Sequence, residues 1–163
     1  MPDLIPFCRW LEQTSVSAAV RQSLWLFPAI ETLHLLGMAA LVATISVLDF
    51  RLLGWMLRRQ RVSDLTRRLL PWAWAGFALQ VVTGSLLFMS EAVKVYTNPA
   101  FRLKMLLIFL AGLHAIIFHL TIFRHVPAWD DAAVPPASAK LSGFVSLLLW
   151  IAIVAAGRLI GFV

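Results

Sequence analysis

Polar residues in this chain are gathered into clusters, and the stretches between them stay apolar for longer than a soluble helix requires. Four such stretches stand out, at about residues 24–50, 71–90, 101–123 and 141–162. Each reaches the roughly 20 residues that a helix needs to cross the hydrocarbon core of a bilayer. The first lies between Arg21 and Arg51, and its extra length predicts a tilt or a projection past the lipid. Pro28 marks its first turn or a kink. Pro71 suits the opening position of the second span, and Glu91 and Lys94 close it. Asn98-Pro99 signals the start of the third, with Lys104 in its first turn and Arg124 and His125 past its end. Residues 141–157 of the fourth carry no charge. The expected fold is all-α, an integral membrane four-helix bundle of up-down order forming a single domain over residues 1–163.

The shorter segments fit this frame. Residues 4–20 mix Leu4, Ile5, Phe7, Trp10 and Leu11 with Arg9, Glu12 and Gln13. That mixture predicts a short amphipathic helix lying in the interface, with Thr14 or Ser15 placed to cap a second turn. Residues 51–68 read as a polar connection with Ser63 capping a short segment inside it. Residues 126–140 hold Pro127, Pro135, Pro136 and the pair Asp130 and Asp131, and read as a loop whose aspartates are solvated. Residues 1–8 contain no Lys or Arg and include Asp3, so a cleaved signal peptide is not expected.

Composition sharpens the membrane reading. Hydrophobic residues make up 61% of the 163 and charged residues only 13%, too few to cover a soluble domain of this length. The net charge of +6 would suggest nucleic acid in a soluble protein. Here the cations stand at the ends of apolar runs, so they report topology, and nucleic acid is excluded as a partner. Six arginines (Arg51, Arg58, Arg59, Arg61, Arg67 and Arg68) crowd the first connection. The positive-inside rule puts that connection and residues 124–140 in the cytoplasm, with both termini and residues 91–102 outside. Most tryptophans sit near span ends, as interface anchors do. The one cysteine, Cys8, forms no internal disulfide, and no CxxC pattern exists.

Function is sought among polar residues inside the spans, because an ionisable side chain in lipid is costly. These are Glu31, His34, Gln80, His114, His119 and Arg158. His34 shares a helix face with Glu31. A histidine hydrogen-bonded within the bundle is the simplest account of His34 alone, but two further histidines on span three change the balance. Spans one and three of an up-down bundle are diagonal, so an imidazole from each can meet across the axis, as a bis-histidine haem requires. His114 and His119 point about 140° apart on a helix and cannot face one site. Depth pairs His34 with His114. Face favours His119, which shares a side with Gly112 and Ala115, and the pair His34 and His119 is preferred. Gly76, Gln80 and Gly84 form a small-residue stripe on span two that allows close packing or leaves room for a flat cofactor. Arg158 suits an ion pair with Glu31, a haem propionate, or the interface.

The segments RWLEQTSVS at 9–17, ETLHLLGMA at 31–39, LDFRLLG at 48–54, LPWAWAGFALQVVTGSLLF at 70–88 and NPAFRLKMLLIFLAG at 98–112 resemble an uncharacterised family of small bacterial four-helix membrane proteins. The resemblance covers nearly the whole chain and implies residence in the bacterial inner membrane. By architecture and histidine placement the chain is also more weakly similar to cytochrome b561 and copper-resistance D type membrane cytochromes b. That similarity implies histidines at the positions of His34 and His119; its two-haem members use four histidines within the spans, and the three here, with His125 at the edge, leave one haem as the expectation.

Three functions follow as expectations. The first is a membrane cytochrome b subunit with one haem b on His34 and His119, exchanging electrons with quinone or a protein partner, and Glu31 handling the proton. The second is a haem-free accessory, assembly or binding protein, alone or as a homo-oligomer. The third, ranked last, is an ion or metal pathway. Soluble-type enzymology has little support: there is no Gly-rich phosphate loop, GxSxG or HExxH.

Overall fold

A computed structural model describes residues 4–162; Asp3, part of the argument about a signal peptide, lies outside them. Within them the chain is helical throughout, in the order α1 (Ile5–Glu12), α2 (Ser15–Gln22), α3 (Leu26–Leu53), α4 (Val62–Ser90), α5 (Ala92–Thr97), α6 (Pro99–Leu120), a 3-10 helix (Phe123–Ala128) and α7 (Ala137–Leu159). Helices α3, α4, α6 and α7 are each long and apolar enough to cross a membrane. Large apolar side chains, among them Leu36, Phe109 and Ile151, lie exposed along them. On helices of this length, such surfaces suit a lipid surround. The protein is a multi-pass membrane protein built on a four-helix bundle.

Helix α3 packs on both α4 and α7, and α6 packs on α7, but no Cα of α4 comes within 8 Å of α6. The bundle therefore has one open edge. That edge is closed at its two ends. Phe88 of α4 stacks on Phe101 of α6 with ring centroids 5.4 Å apart, and the 3-10 helix rests against α4 at the opposite end. The two ends of the bundle are the cap end, where α1, α2 and α5 lie, and the arginine end. A cluster of buried apolar residues, Leu52, Val62, Phe118, Val126 and Ala139, sits at the arginine end.

The expected interfacial helix is two helices. Thr14 begins the second, accepting a hydrogen bond from the Ser17 amide at 3.3 Å. Both helices tie to the cap end of α4 and α5. Ser17 Oγ donates to the Met89 carbonyl at 2.8 Å, Arg21 donates to the Ser90 carbonyl at 3.4 Å, and Glu12 accepts from the Val93 amide at 2.9 Å. Helix ends leave such carbonyls and amides without partners of their own. Asn98 starts α6, accepting from the amides of Ala100 and Phe101, and its Nδ2 donates to Ile160 at the far end of α7.

Three expectations are corrected at the arginine end. Span two does not open at Pro71, which lies inside α4. The helix starts at Val62, so its first turns stand out of the lipid with Arg67 and Arg68 exposed. Ser63 does not cap it either. Asp130 does so from the other loop, accepting from the Ser63 amide at 2.9 Å and from the Ser63 hydroxyl. Asp130 is thus not solvated: it is only 5% exposed, and Arg61 pairs with both it and the exposed Asp131. Burial pulls its carboxyl upward, but the Ser63 bonds and the Arg61 charge outweigh this and hold it below the ordinary value of 3.8.

Candidate functional site

His34 is set on the face of α3 that meets α4. Small residues make the approach possible. A Cβ on Gly37 would come within 2.8 Å of Leu79 and 2.9 Å of Gln80, and one on Gly84 would come within 3.2 Å of His34 Cε1. Gly76 is similarly tight against Leu41. The small-residue stripe of span two thus serves close packing against α3. Gln80 Nε2 donates to the His34 carbonyl at 2.6 Å, and its Oε1 is buried without a partner among the described residues.

The ring of His34 is oriented by Thr83, with Nδ1 at 2.8 Å from Oγ1. The Thr83 hydroxyl donates in turn to the Leu79 carbonyl at 2.6 Å. Its hydrogen is committed there, so His34 Nδ1 is the donor and the neutral ring keeps its lone pair on Nε2. That nitrogen has no partner among the described residues.

Lys104 turns inward from α6, and its ammonium lies against α7 at Gly157, where a Cβ would meet Nζ at 3.3 Å. Among the described residues, no hydrogen bond or ion pair engages it. The bundle thus holds a lone pair on α3 and an ammonium on α6, one able to accept a proton or hydrogen bond and the other to donate.

The other expected site residues are scattered. Glu31 is exposed and forms no ion pair with Arg158, whose guanidinium lies 4.9 Å from the Phe162 ring centre. His114 is half-buried and meets Ser142 Oγ of α7 through Nε2 at 3.1 Å. His119 is exposed, and its Nδ1 turns back to its own helix at the Ala115 carbonyl, 2.9 Å away. The face argument for His119 is reversed by the structure. Gly112 meets nothing within 4 Å of an added Cβ. The side it shares with His119 points outward, while Ala111, His114 and Phe118 turn inward. The structure does not bring His34 and His119 together. Among the described residues, His, Cys, Asp and Glu side chains nowhere gather in threes fit for a metal.

Sequence reasoning misses three ionic groups turned into the bundle. The place of Lys104 in a first turn points it to the interface. Ending span one near residue 50 puts Arg51 in a connection and Asp49 in a last turn. Both are instead buried within α3, Asp49 beside Ser146 of α7 with Oδ2 unpaired among the described residues. Arg51 is fully buried and donates to the carbonyls of Gln60, Asp130 and Ala132, tying both loops of the arginine end. The available signal is the apolar pair Leu52 and Leu53, which carries the helix past both charges.

The sequence model of a family described as a family of unknown function (DUF6644) matches residues 13–163. No curated protein and no solved structure matches the chain.

Proposed function

The chain belongs to this family of unknown function, so its activity has to be read from its own residues, and we propose that it is a membrane binding protein for an amphiphile of the quinol class. The observation that carries this reading is the pair of unengaged groups inside the bundle, the His34 Nε2 lone pair and the Lys104 ammonium. An unpaired ammonium within a span is expensive. A ligand oxygen that donates to His34 and accepts from Lys104 removes that cost, and a quinol head does both. The open edge between α4 and α6 offers entry from the bilayer. The ligand's apolar tail stays among the exposed leucines and phenylalanines of that edge.

Orientation belongs to the same proposal. The arginine end faces the cytoplasm of a bacterial inner membrane, and the cap end and both termini face the periplasm.

Binding of decylubiquinol to the purified protein, followed by thermal shift, tests the reading. We expect stabilisation of the native chain and at least a tenfold weaker Kd in both His34→Ala and Lys104→Gln. Equal binding by the native chain and both variants removes the assignment.

One observation favours a second reading. An axial haem ligand needs Nε2 free and Nδ1–H held by a neighbour, which is how Thr83 holds His34. In this reading His34 ligates one haem b and Lys104 or Arg158 meets a propionate. A reduced-minus-oxidised spectrum of protein prepared with ample haem decides between the two: an α band lost in His34→Ala supports haem, and its absence supports the ligand-binding protein.

A further inference from the structure

The arginine end carries a second feature, independent of His34. Where α3 stops and α7 starts, a cavity of about 240 Å³ opens between Leu53, Trp55, Arg58, Val134, Pro135 and Lys140. Its floor depends on Gly54. This residue ends α3 with φ of +74°, and a Cβ there would meet Pro135 Cδ at 3.3 Å.

Two cations and no acid line the cavity. Arg58 is braced by its Nε, which donates to the Gly54 carbonyl. Its two terminal nitrogens keep their hydrogens free of any partner among the described residues. Lys140 is half-buried in the first turn of α7 and likewise lacks an acidic partner among them. In the loop before α7, Asp130 is taken by Arg61 and Ser63, and Asp131 by Arg61. Beside the two cations stand two exposed apolar side chains, Trp55 at 63% and Val134 at 69%. An indole at this depth is an interface anchor.

We propose that this cavity holds the phosphate of an anionic phospholipid. A braced guanidinium and an ammonium suit a phosphodiester, and Trp55 and Val134 provide the apolar shoulder against which the acyl chains leave. Free phosphate shares the charge but uses none of that shoulder. The arginines elsewhere at this end, such as Arg59, supply only a diffuse field.

Native mass spectrometry of the detergent-purified protein titrated with phosphatidylglycerol or phosphatidylcholine tests the site. The native chain should retain phosphatidylglycerol at least tenfold more tightly than phosphatidylcholine. Arg58→Gln with Lys140→Gln should remove that preference, and Arg59→Gln should leave it within about twofold. Arg58→Lys with Lys140→Arg, which keeps both charges, should preserve most of it. Equal retention of the two lipids by the native chain, or an unchanged preference in the glutamine variant, overturns the proposal. So does competition by glycerol 3-phosphate as effective as that by phosphatidylglycerol, which would make the site one for a soluble phosphate. If the glutamine variant does not fold, the comparison of lipids and glycerol 3-phosphate on the native chain still decides.

Discussion

At the scale of single residues, polar atoms here are positioned by neighbours that sequence distance hides. Thr83 fixes the His34 tautomer from another helix, and Asp130 starts α4 from a loop 67 residues away. Thr83→Val leaves the His34 Nδ1–H without an acceptor and should cost about 1–3 kcal/mol, read as a fall in unfolding temperature. Asp130 makes stability depend on pH. Its folded value lies below the ordinary 3.8, so its contribution is complete above that value and is lost as pH falls through the lower folded one. Asp130→Ala should lower the melting temperature at neutral pH and flatten its decline below about pH 4. Neither partnership is legible in the sequence. Lys104 shows the same limit: a lysine in a first turn normally reaches the interface, and only the gap at Gly157 turns it inward. His34, by contrast, stands out in the sequence alone as a polar group within a span.

At the scale of elements, helix approach is decided by where a methyl group fits. A Cβ on Gly143 of α7 would come within 2.9 Å of the Asp49 carbonyl and 3.2 Å of Leu52 Cβ on α3. Gly143→Ala must push these helices apart and should cost about 1–3 kcal/mol. Gly112→Ala meets open space and should be neutral or gain up to about 1 kcal/mol from helix propensity. Parallel thermal melts of the two variants check the contrast. In sequence the two glycines look alike, because spacing alone reports which residues share a face and not which face is covered. Apolar length locates all four spans for the same reason that it cannot orient them: lipid accepts an apolar side chain on any side of a helix. Boundaries fail where polar residues stay helical, as at residues 62–70 before Pro71.

For the whole molecule, the four crossings and their order follow from apolar length and short connections, and the match to residues 13–163 agrees with the resemblance read along nearly the whole chain. The open edge between α4 and α6 has no trace in the sequence, since an up-down order predicts those neighbours in contact. Orientation is tested on intact cells. In a Cys8→Ser background, Tyr96→Cys should react with a membrane-impermeant thiol reagent and Arg59→Cys should not until the membrane is opened. The reverse pattern inverts the assignment of the two ends.

The bonds from Glu12, Ser17 and Arg21 to the cap end also constrain the order of assembly. Their partners lie 69 to 81 residues later in the chain. Helices α1 and α2 leave the ribosome ahead of these partners, and the bonds cannot form until α4 has crossed the bilayer and residue 93 has been made. Until then α1 and α2 have only each other and the packing of α2 on α3. They act as a latch that closes behind the α3–α4 hairpin, and a nascent chain halted before Met89 would carry that latch open.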